Sequence, residues 1–216
     1  GGDFRRTNKV SKALAKGAAQ LAGRETRQVD VGRLTYVDYA GQRRVRHFLN
    51  IASFGMSGLV DRYVNESSKL LGGRLSFGLA TLKALRNFST QRVRLTLDDR
   101  APLEVELQTV AVANGQYFGG GMRFAPEAKI DDGLFDVVVL GPTKLAELLL
   151  KGHRVYSGRH VGMRHVSVTR ARTVIAEPLA GQPILLDVDG ETPGVLPATF
   201  ELLPGALRLK KPRVVR

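Results

Sequence analysis

Three short stretches carry residue types whose spacing can do chemistry. Leu185–Glu191 reads LLDVDGE and holds three carboxylates within five residues. On a strand, Asp187 and Asp189 point to one face and Val188 to the other, and Gly190 then turns the chain to present Glu191 at a sheet rim. Neighbouring carboxylates repel one another, a setting in which one of them is tuned for general-base work. An acidic β-turn built on an Asp-Gly pair accounts for the same residues.

The second stretch is Asp131–Asp132–Gly133, just ahead of an apolar run over Leu134–Leu140. It reads either as a type I turn or as a small oxygen-ligand site, since Mg²⁺ is usually held by one carboxylate, backbone carbonyls and water. The third is the triplet Gly119–Gly120–Gly121, which implies unusual backbone angles or a close approach. As a phosphate cradle it lacks the Lys-Ser/Thr that follows the glycines of a P-loop.

Strands and turns must position these segments. A helix is expected over Ser11–Ala22, ending at Gly23, and a hairpin from Gln28–Val37 through the turn Asp38–Gly41 into Arg43–Ile51. Gly55–Leu71 and Leu75–Phe88 read as helices, the second with Leu75, Leu79, Leu82 and Leu85 on one face. Arg92–Leu97, Leu103–Leu107, Thr109–Ala113 and Phe135–Leu140 read as strands, and Pro142–Lys151 as a short helix. Val166–Thr169, Thr173–Ala176, Ile184–Val188, Ala198–Leu202 and Ala206–Leu209 complete a series of short strands, the pattern of a sandwich or closed sheet.

Composition narrows the partners. The 216 residues carry a net charge of +13 and no cysteine, which excludes disulfides and thiolate metal sites. A balance this basic favours an anionic partner: nucleic acid, a phosphorylated ligand or an anionic membrane surface. Aromatics make up only 6% and no zinc-finger or RNA-binding signature is present, so specific nucleic-acid readout is not expected. No apolar run approaches the ~20 residues of a spanning helix, so the expectation is a soluble protein, peripheral to a membrane at most. His47, His153, His160 and His165 show no paired metal-ligand spacing, and surface or capping roles are expected for all four.

Taken together and in order, several segments resemble the diacylglycerol kinase catalytic family, which includes bacterial lipid kinases and sphingosine kinases. Gly1–Thr7 resembles the end of the family's GTGNDFAR motif, and Asn50–Gly55 its NxAxxG strand end. ANGQYFGGGMRFAPEAKIDDGLFDVVVL and DVDGE followed by LPGALRL carry most of the likeness, which spans Gly1 to about Leu209. Gly2 stands where the motif usually has Asn, and Met56–Ser57 where relatives often carry an aromatic-acid pair.

The resemblance implies a mixed α+β fold, mainly an antiparallel β-sandwich with a few helices, within a two-domain NAD-kinase/diacylglycerol-kinase-like architecture. Residues 1–26 would be the tail of an ATP-binding domain with a linker helix, 27–209 the lipid-substrate sandwich, and 210–216 a basic tail. The chain contains no GGDGT nucleotide loop, so it is expected to be a piece of a longer enzyme and inactive alone. The implied reaction moves the γ-phosphoryl of ATP to a lipid hydroxyl with Mg²⁺ present, giving a phospholipid such as phosphatidic acid. Glu191 matches the proton acceptor and Asp189 its helper. Asp132 matches the magnesium-binding aspartate, with the carbonyls of Lys129 and Leu134 as co-ligands, and Asp3 and Arg6 match the nucleotide side. The partners implied are a lipid substrate, entering a cleft between residues 55–88 and the sheet, and an anionic membrane surface on the cytoplasmic side. Self-association into a homodimer stays open. The alternative is a non-catalytic basic module binding anionic phospholipid or nucleic acid.

Overall fold

Apolar residues recur along the strands in two patterns, which separate most, though not all, of the strands into two sheets. The computed structural model describes residues 2–66, 83, 90–143, 147, 150–179 and 183–212. In the first pattern, buried and exposed residues alternate. It is seen in β1 (Thr26–Asp38) and β4 (Gln91–Leu97), which join β2 (Arg43–Phe48), β5 (Leu103–Leu107), β9 (Thr173–Pro178) and β11 (Gly194–Lys210) in one six-stranded sheet. In the second, burial is continuous, as in β3 (Ile51–Gly55) and β6 (Thr109–Ala113), which join β7 (Phe135–Leu140), β8 (Val166–Ala171) and β10 (Leu186–Val188) in a five-stranded sheet.

The orders are β2-β1-β11-β9-β4-β5 and β10-β3-β6-β7-β8, and the strand pairs among the described residues are antiparallel. A sheet wet on one face alternates, whereas one covered on both faces is apolar throughout. The inner faces meet in a core containing Leu34, Leu107 and Leu186, with Phe48 stacked on Phe135 at 5.6 Å and Phe54 on Phe200 at 6.0 Å, each pair bridging the two sheets. A second cluster covers the other face of the smaller sheet: Ile51, Ala111, Ala113 and Val138 lie under Phe124, Ala125 and Ala128 of the long β6–β7 connection.

Four helices lie within the described residues and are short: α1 (Gly2–Thr7), α2 (Leu14–Leu21), α3 (Met56–Glu66) and α4 (Arg154–Ser157), the last running into a 3₁₀ turn at Arg159–Gly162. No helix among the described residues is long and apolar enough to cross a membrane. The expected stripe Leu75, Leu79, Leu82, Leu85 and the cleft it would line fall outside the described residues, as does half of the expected helix Pro142–Lys151.

Three expectations need correction. Arg43–Ile51 is not one strand, because Leu49–Asn50 separates β2 from β3 and moves the chain between sheets. Ala198–Leu202 and Ala206–Leu209 are parts of one strand, β11, which runs through Pro204–Gly205 as a bulge. Leu203 pairs with Val31 and Leu207 with Val29, leaving the residues between opposite Asp30. His160 is buried rather than at the surface, tilted against the Phe124 ring at 5.0 Å, with Nε2 3.1 Å from the Phe124 carbonyl.

Candidate functional site

The acidic stretch after β10 forms a two-residue hairpin turn. The Val188 N–H donates to the Glu191 carbonyl at 2.8 Å and the Glu191 N–H to the Val188 carbonyl at 3.1 Å. Asp189 and Gly190 both have positive φ, 51° and 91°, which is the type I′ geometry that Asp-Gly favours. The three carboxylates then part company. Asp187 is buried, its Oδ2 accepting from Ser53 Oγ at 3.0 Å and its Oδ1 from the Gly190 N–H at 2.9 Å. Asp189 accepts three main-chain N–H groups across the β2–β3 break: Leu49 at 2.9 Å, Asn50 at 3.1 Å and Ile51 at 3.0 Å. Glu191 stays 66% exposed at the rim, where the Arg46 guanidinium of β2 donates to it.

Asp189 is therefore a clamp on the point where the chain leaves one sheet for the other, since charge-assisted amide bonds are roughly twice as strong as neutral ones. Asp189 and Glu191 are both exposed, and what sets them apart is the partner: main-chain amides for Asp189, the Arg46 guanidinium for Glu191. Arg46 went unnoticed in the sequence because it sits in a run of arginines. Strand alternation places Arg44, Arg46 and Phe48 on one face, which was the signal available.

The turn before β7 is fixed by Asp30, which the sequence reading also passed over. This buried carboxylate accepts from the Gly133 N–H at 2.8 Å and the Gly205 N–H at 2.7 Å, while its own N–H donates to the Ile130 carbonyl at 2.7 Å. Within that frame Asp132 is exposed and accepts from the Leu134 N–H at 3.2 Å. Asp131 lies 3.4 Å from Arg27.

The residues fit a hard divalent cation in one respect: the donors, the Asp132 carboxylate and the main-chain carbonyls of Lys129 and Leu134, are all oxygens. Positive charge is close by, with Arg27 at Asp131 and Arg170 3.0 Å from Asp136. Asp136 is buried with Oδ2 unpartnered, and its carboxyl is pushed above the ordinary range chiefly by burial. Arg170 works against that rise, and the charges of Asp132 and Glu127 add to it. Among the described residues no three His, Cys, Asp or Glu side chains converge on one point, so main-chain oxygens and water would complete the shell of such an ion.

The glycine triplet is a tight turn closed by reciprocal Phe118–Met122 main-chain bonds, with φ of 56°, 77° and 112° at Gly119, Gly120 and Gly121. It receives α1. Asp3 accepts the Gly120 N–H at 3.0 Å and holds Arg6 at 3.3 Å. A Cβ on Gly121 would stand 1.6 Å from an Arg6 nitrogen, so only glycine admits the guanidinium. The Gln116 N–H donates to Thr7 Oγ1 at 3.3 Å.

The turn at 189–190, the loop at 130–133 and the α1 seat meet at Leu49–Ile51. Asn114, 1% exposed, donates from Nδ2 to the carbonyls of Leu49 and Asp30, tying the break to the loop that Asp30 frames.

Known proteins share this arrangement of chain. Residues 50–211 match the family described as the YegS C-terminal NAD kinase beta sandwich-like domain. The chain is 30% identical over 188 residues to a protein named diacylglycerol kinase from Mycobacterium tuberculosis, covering 87% of this chain and 58% of that relative. It is 26% identical over 201 residues to one of the same name from Bacillus subtilis, covering 90% of this chain and 62% of the relative. Among solved structures, a diacylglycerol kinase from Bacillus anthracis str. Sterne superposes with a TM-score of 0.63 at 24% identity, over 97% of this chain and 62% of that one, and shares the fold. The chain thus spans about three-fifths of the length of these relatives.

Proposed function

Since the chain belongs to the family of the YegS C-terminal NAD kinase beta sandwich-like domain, we propose that it is the substrate-side domain of an ATP-dependent lipid kinase. The acceptor would be the hydroxyl of diacylglycerol or a related lipid, and the product a phospholipid such as phosphatidic acid. The observation that carries this reading is the division of labour in the acidic turn. Asp187 and Asp189 are held by hydrogen bonds from the chain, and Glu191 projects from the same turn with only the Arg46 side chain against its carboxylate among the described residues.

In this reading Glu191 accepts the proton of the lipid hydroxyl as that oxygen attacks the γ-phosphorus of ATP. The new O–P bond forms, the bond to ADP breaks, and ADP leaves. Phosphoryl transfer demands positioning and charge neutralisation more than covalent help from the protein. Asp189 supplies positioning, because it fixes the turn from which Glu191 projects. Asp132 and the carbonyls of Lys129 and Leu134 would hold Mg²⁺, which when bound offsets phosphate charge and stiffens the start of β7. Asp3 and Arg6, on α1, would lie on the nucleotide side, and a GGDGT-bearing domain would supply the ATP site. The net charge of +13 supports work at an anionic surface, which in this reading is the cytoplasmic face of a membrane during phospholipid biosynthesis.

The test is transfer of phosphate from ATP by the intact gene product to diacylglycerol, ceramide, sphingosine and phosphatidylglycerol in mixed micelles. Transfer to one of these lipids, lost in Glu191→Gln, is the expected result. A folded, ATP-binding protein that phosphorylates none of them overturns the reading in favour of a non-catalytic module.

A further inference from the structure

Asn50 occupies the junction between α1 and the Glu191 turn. Its side chain is almost fully buried, and its Nδ2 donates to the Tyr117 carbonyl. Its N–H donates to Asp189, and its carbonyl accepts the N–H groups of Asn114 at 2.9 Å and Gly115 at 2.8 Å. Oδ1 is buried without a hydrogen-bond partner and points at Gly115, where a Cβ would lie 2.1 Å from it and 3.2 Å from Thr7 Oγ1. On one side of Asn50, therefore, lies the loop that seats Asp3, Arg6 and Thr7. On the other lies the carboxylate that clamps the Asp189–Gly190 turn.

We propose that Asn50 is a positioning residue that fixes Glu191 relative to α1, so that the acceptor hydroxyl and the nucleotide side are held in register. This rests on Glu191 as proton acceptor. The side chain grips the 115–121 loop while the main chain of the same residue grips Asp189, so a shift of α1 reaches the turn through one residue. Asn50 touches no reacting atom in this scheme. Its contribution is geometric, and misplacing a reacting group by ~1 Å costs on the order of 100-fold in rate.

The test uses the intact enzyme with Asn50→Ala, Gly121→Ala, the double variant and Gly115→Ala. Asn50→Ala removes the side-chain grip on the Tyr117 carbonyl and keeps the main-chain bonds to Asp189, Asn114 and Gly115. Gly121→Ala displaces Arg6 from its seat. Gly115→Ala pushes the Asn50 side chain aside without altering residue 50, which keeps the idea testable where Asn50→Ala does not fold. The expected result is a fall in kcat of about 10- to 100-fold for Asn50→Ala and for Gly115→Ala, with KM for ATP and lipid changed less than about threefold. In the Asn50→Ala background the further loss from Gly121→Ala should shrink, because neighbours on one path are not additive. Additive losses, or a kcat within about twofold of wild type, overturn the proposal.

Amide hydrogen exchange separates this proposal from the functional reading. In Asn50→Ala the Gly120, Leu49 and Ile51 amides should exchange faster together. Acceleration at Gly120 alone, or at Leu49 and Ile51 alone, overturns the coupling even where wild type proves inactive on every lipid. A wild type without transfer whose three amides still respond together removes the function of Glu191 and leaves the link intact.

Discussion

Asp30 and Gly133 lie 103 residues apart in sequence, and the Gly133 N–H donates to Asp30 Oδ2 at 2.8 Å. The other oxygen of the same carboxylate takes Gly205, so one buried charge holds the cation-candidate loop and the bulge of β11. Hydrogen bonds to a charged group contribute ~1.5–3 kcal/mol each, and orphaned amides add a penalty. Asp30→Ala should therefore lower unfolding free energy by about 3 kcal/mol or more, read from urea denaturation. A loss below about 1 kcal/mol would show that water replaces the carboxylate without cost.

Asp189 and Glu191 stand two residues apart with opposite expected phenotypes. Asp189→Ala removes the acceptor of three amides and should cost about 2–4 kcal/mol of stability, with activity falling alongside. Glu191→Gln breaks only a solvent-facing ion pair with Arg46, so unfolding should move by less than about 1 kcal/mol. Phosphate transfer by Glu191→Gln should nevertheless drop roughly 10²- to 10⁴-fold. Measuring Tm and kcat on both variants checks the split.

Buried His160 is held below its ordinary value of 6.5 by desolvation, opposed by its bond to the Phe124 carbonyl. The neutral imidazole is the form the fold accepts. Its contribution is fully present above pH 6.5 and is lost as pH falls through the lower folded value, because the unfolded chain takes the proton first. The urea midpoint should thus drop between pH 7.5 and pH 5, and His160→Phe should flatten this part of the profile. Asp136 acts in the other sense. Raised from 3.8 mainly by burial, its contribution is fully present below that pH and is lost as pH rises through the folded value. Asp136→Asn should remove that slope.

Mg²⁺ should raise the melting temperature if it binds at Asp132. For a ligand specific to the folded state the gain is about 2.7 kcal/mol at a hundredfold excess over Kd. Asp132→Asn should abolish the Mg²⁺-dependent shift while leaving the metal-free melting temperature nearly unchanged, because Asp132 is exposed. Scanning calorimetry with EDTA and then with Mg²⁺ decides it, and an unchanged shift in the variant would move the ion elsewhere.

Much of the sandwich was legible because local pattern and tertiary role agree. Thr109–Ala113 and Phe135–Leu140 read as continuous β-prone runs and form β6 and β7, largely buried, whereas Arg92–Leu97 alternates and lies in the sheet with one wet face. Legibility stopped where a distant residue sets the local outcome. Nothing between Arg43 and Ile51 announces a break, because the break is held by Asp189, 139 residues beyond Asn50. Pro204–Gly205 looks like a strand terminator until Asp30 receives the Gly205 N–H and lets β11 continue. Burial of His160 depends on Phe124, 36 residues earlier, and the Arg46–Glu191 pair spans 145 residues. The acidic turn was visible as DVDGE, but the assignment of Asp189 to clamping came only with the amides of 49–51.

β11 lies between β1 and β9 at the centre of the larger sheet, although it follows every other described strand in the chain. Before β11 is synthesised, β1–β2 and β9–β4–β5 have no strand to join them, and any ribbon that forms keeps an open edge where β11 belongs. Unpaired edges of this kind invite wrong partners, and contacts so far apart in sequence form slowly. The domain closes only after synthesis has passed Lys210, so its exposure to chaperones and proteases is set by how soon that final strand leaves the exit tunnel.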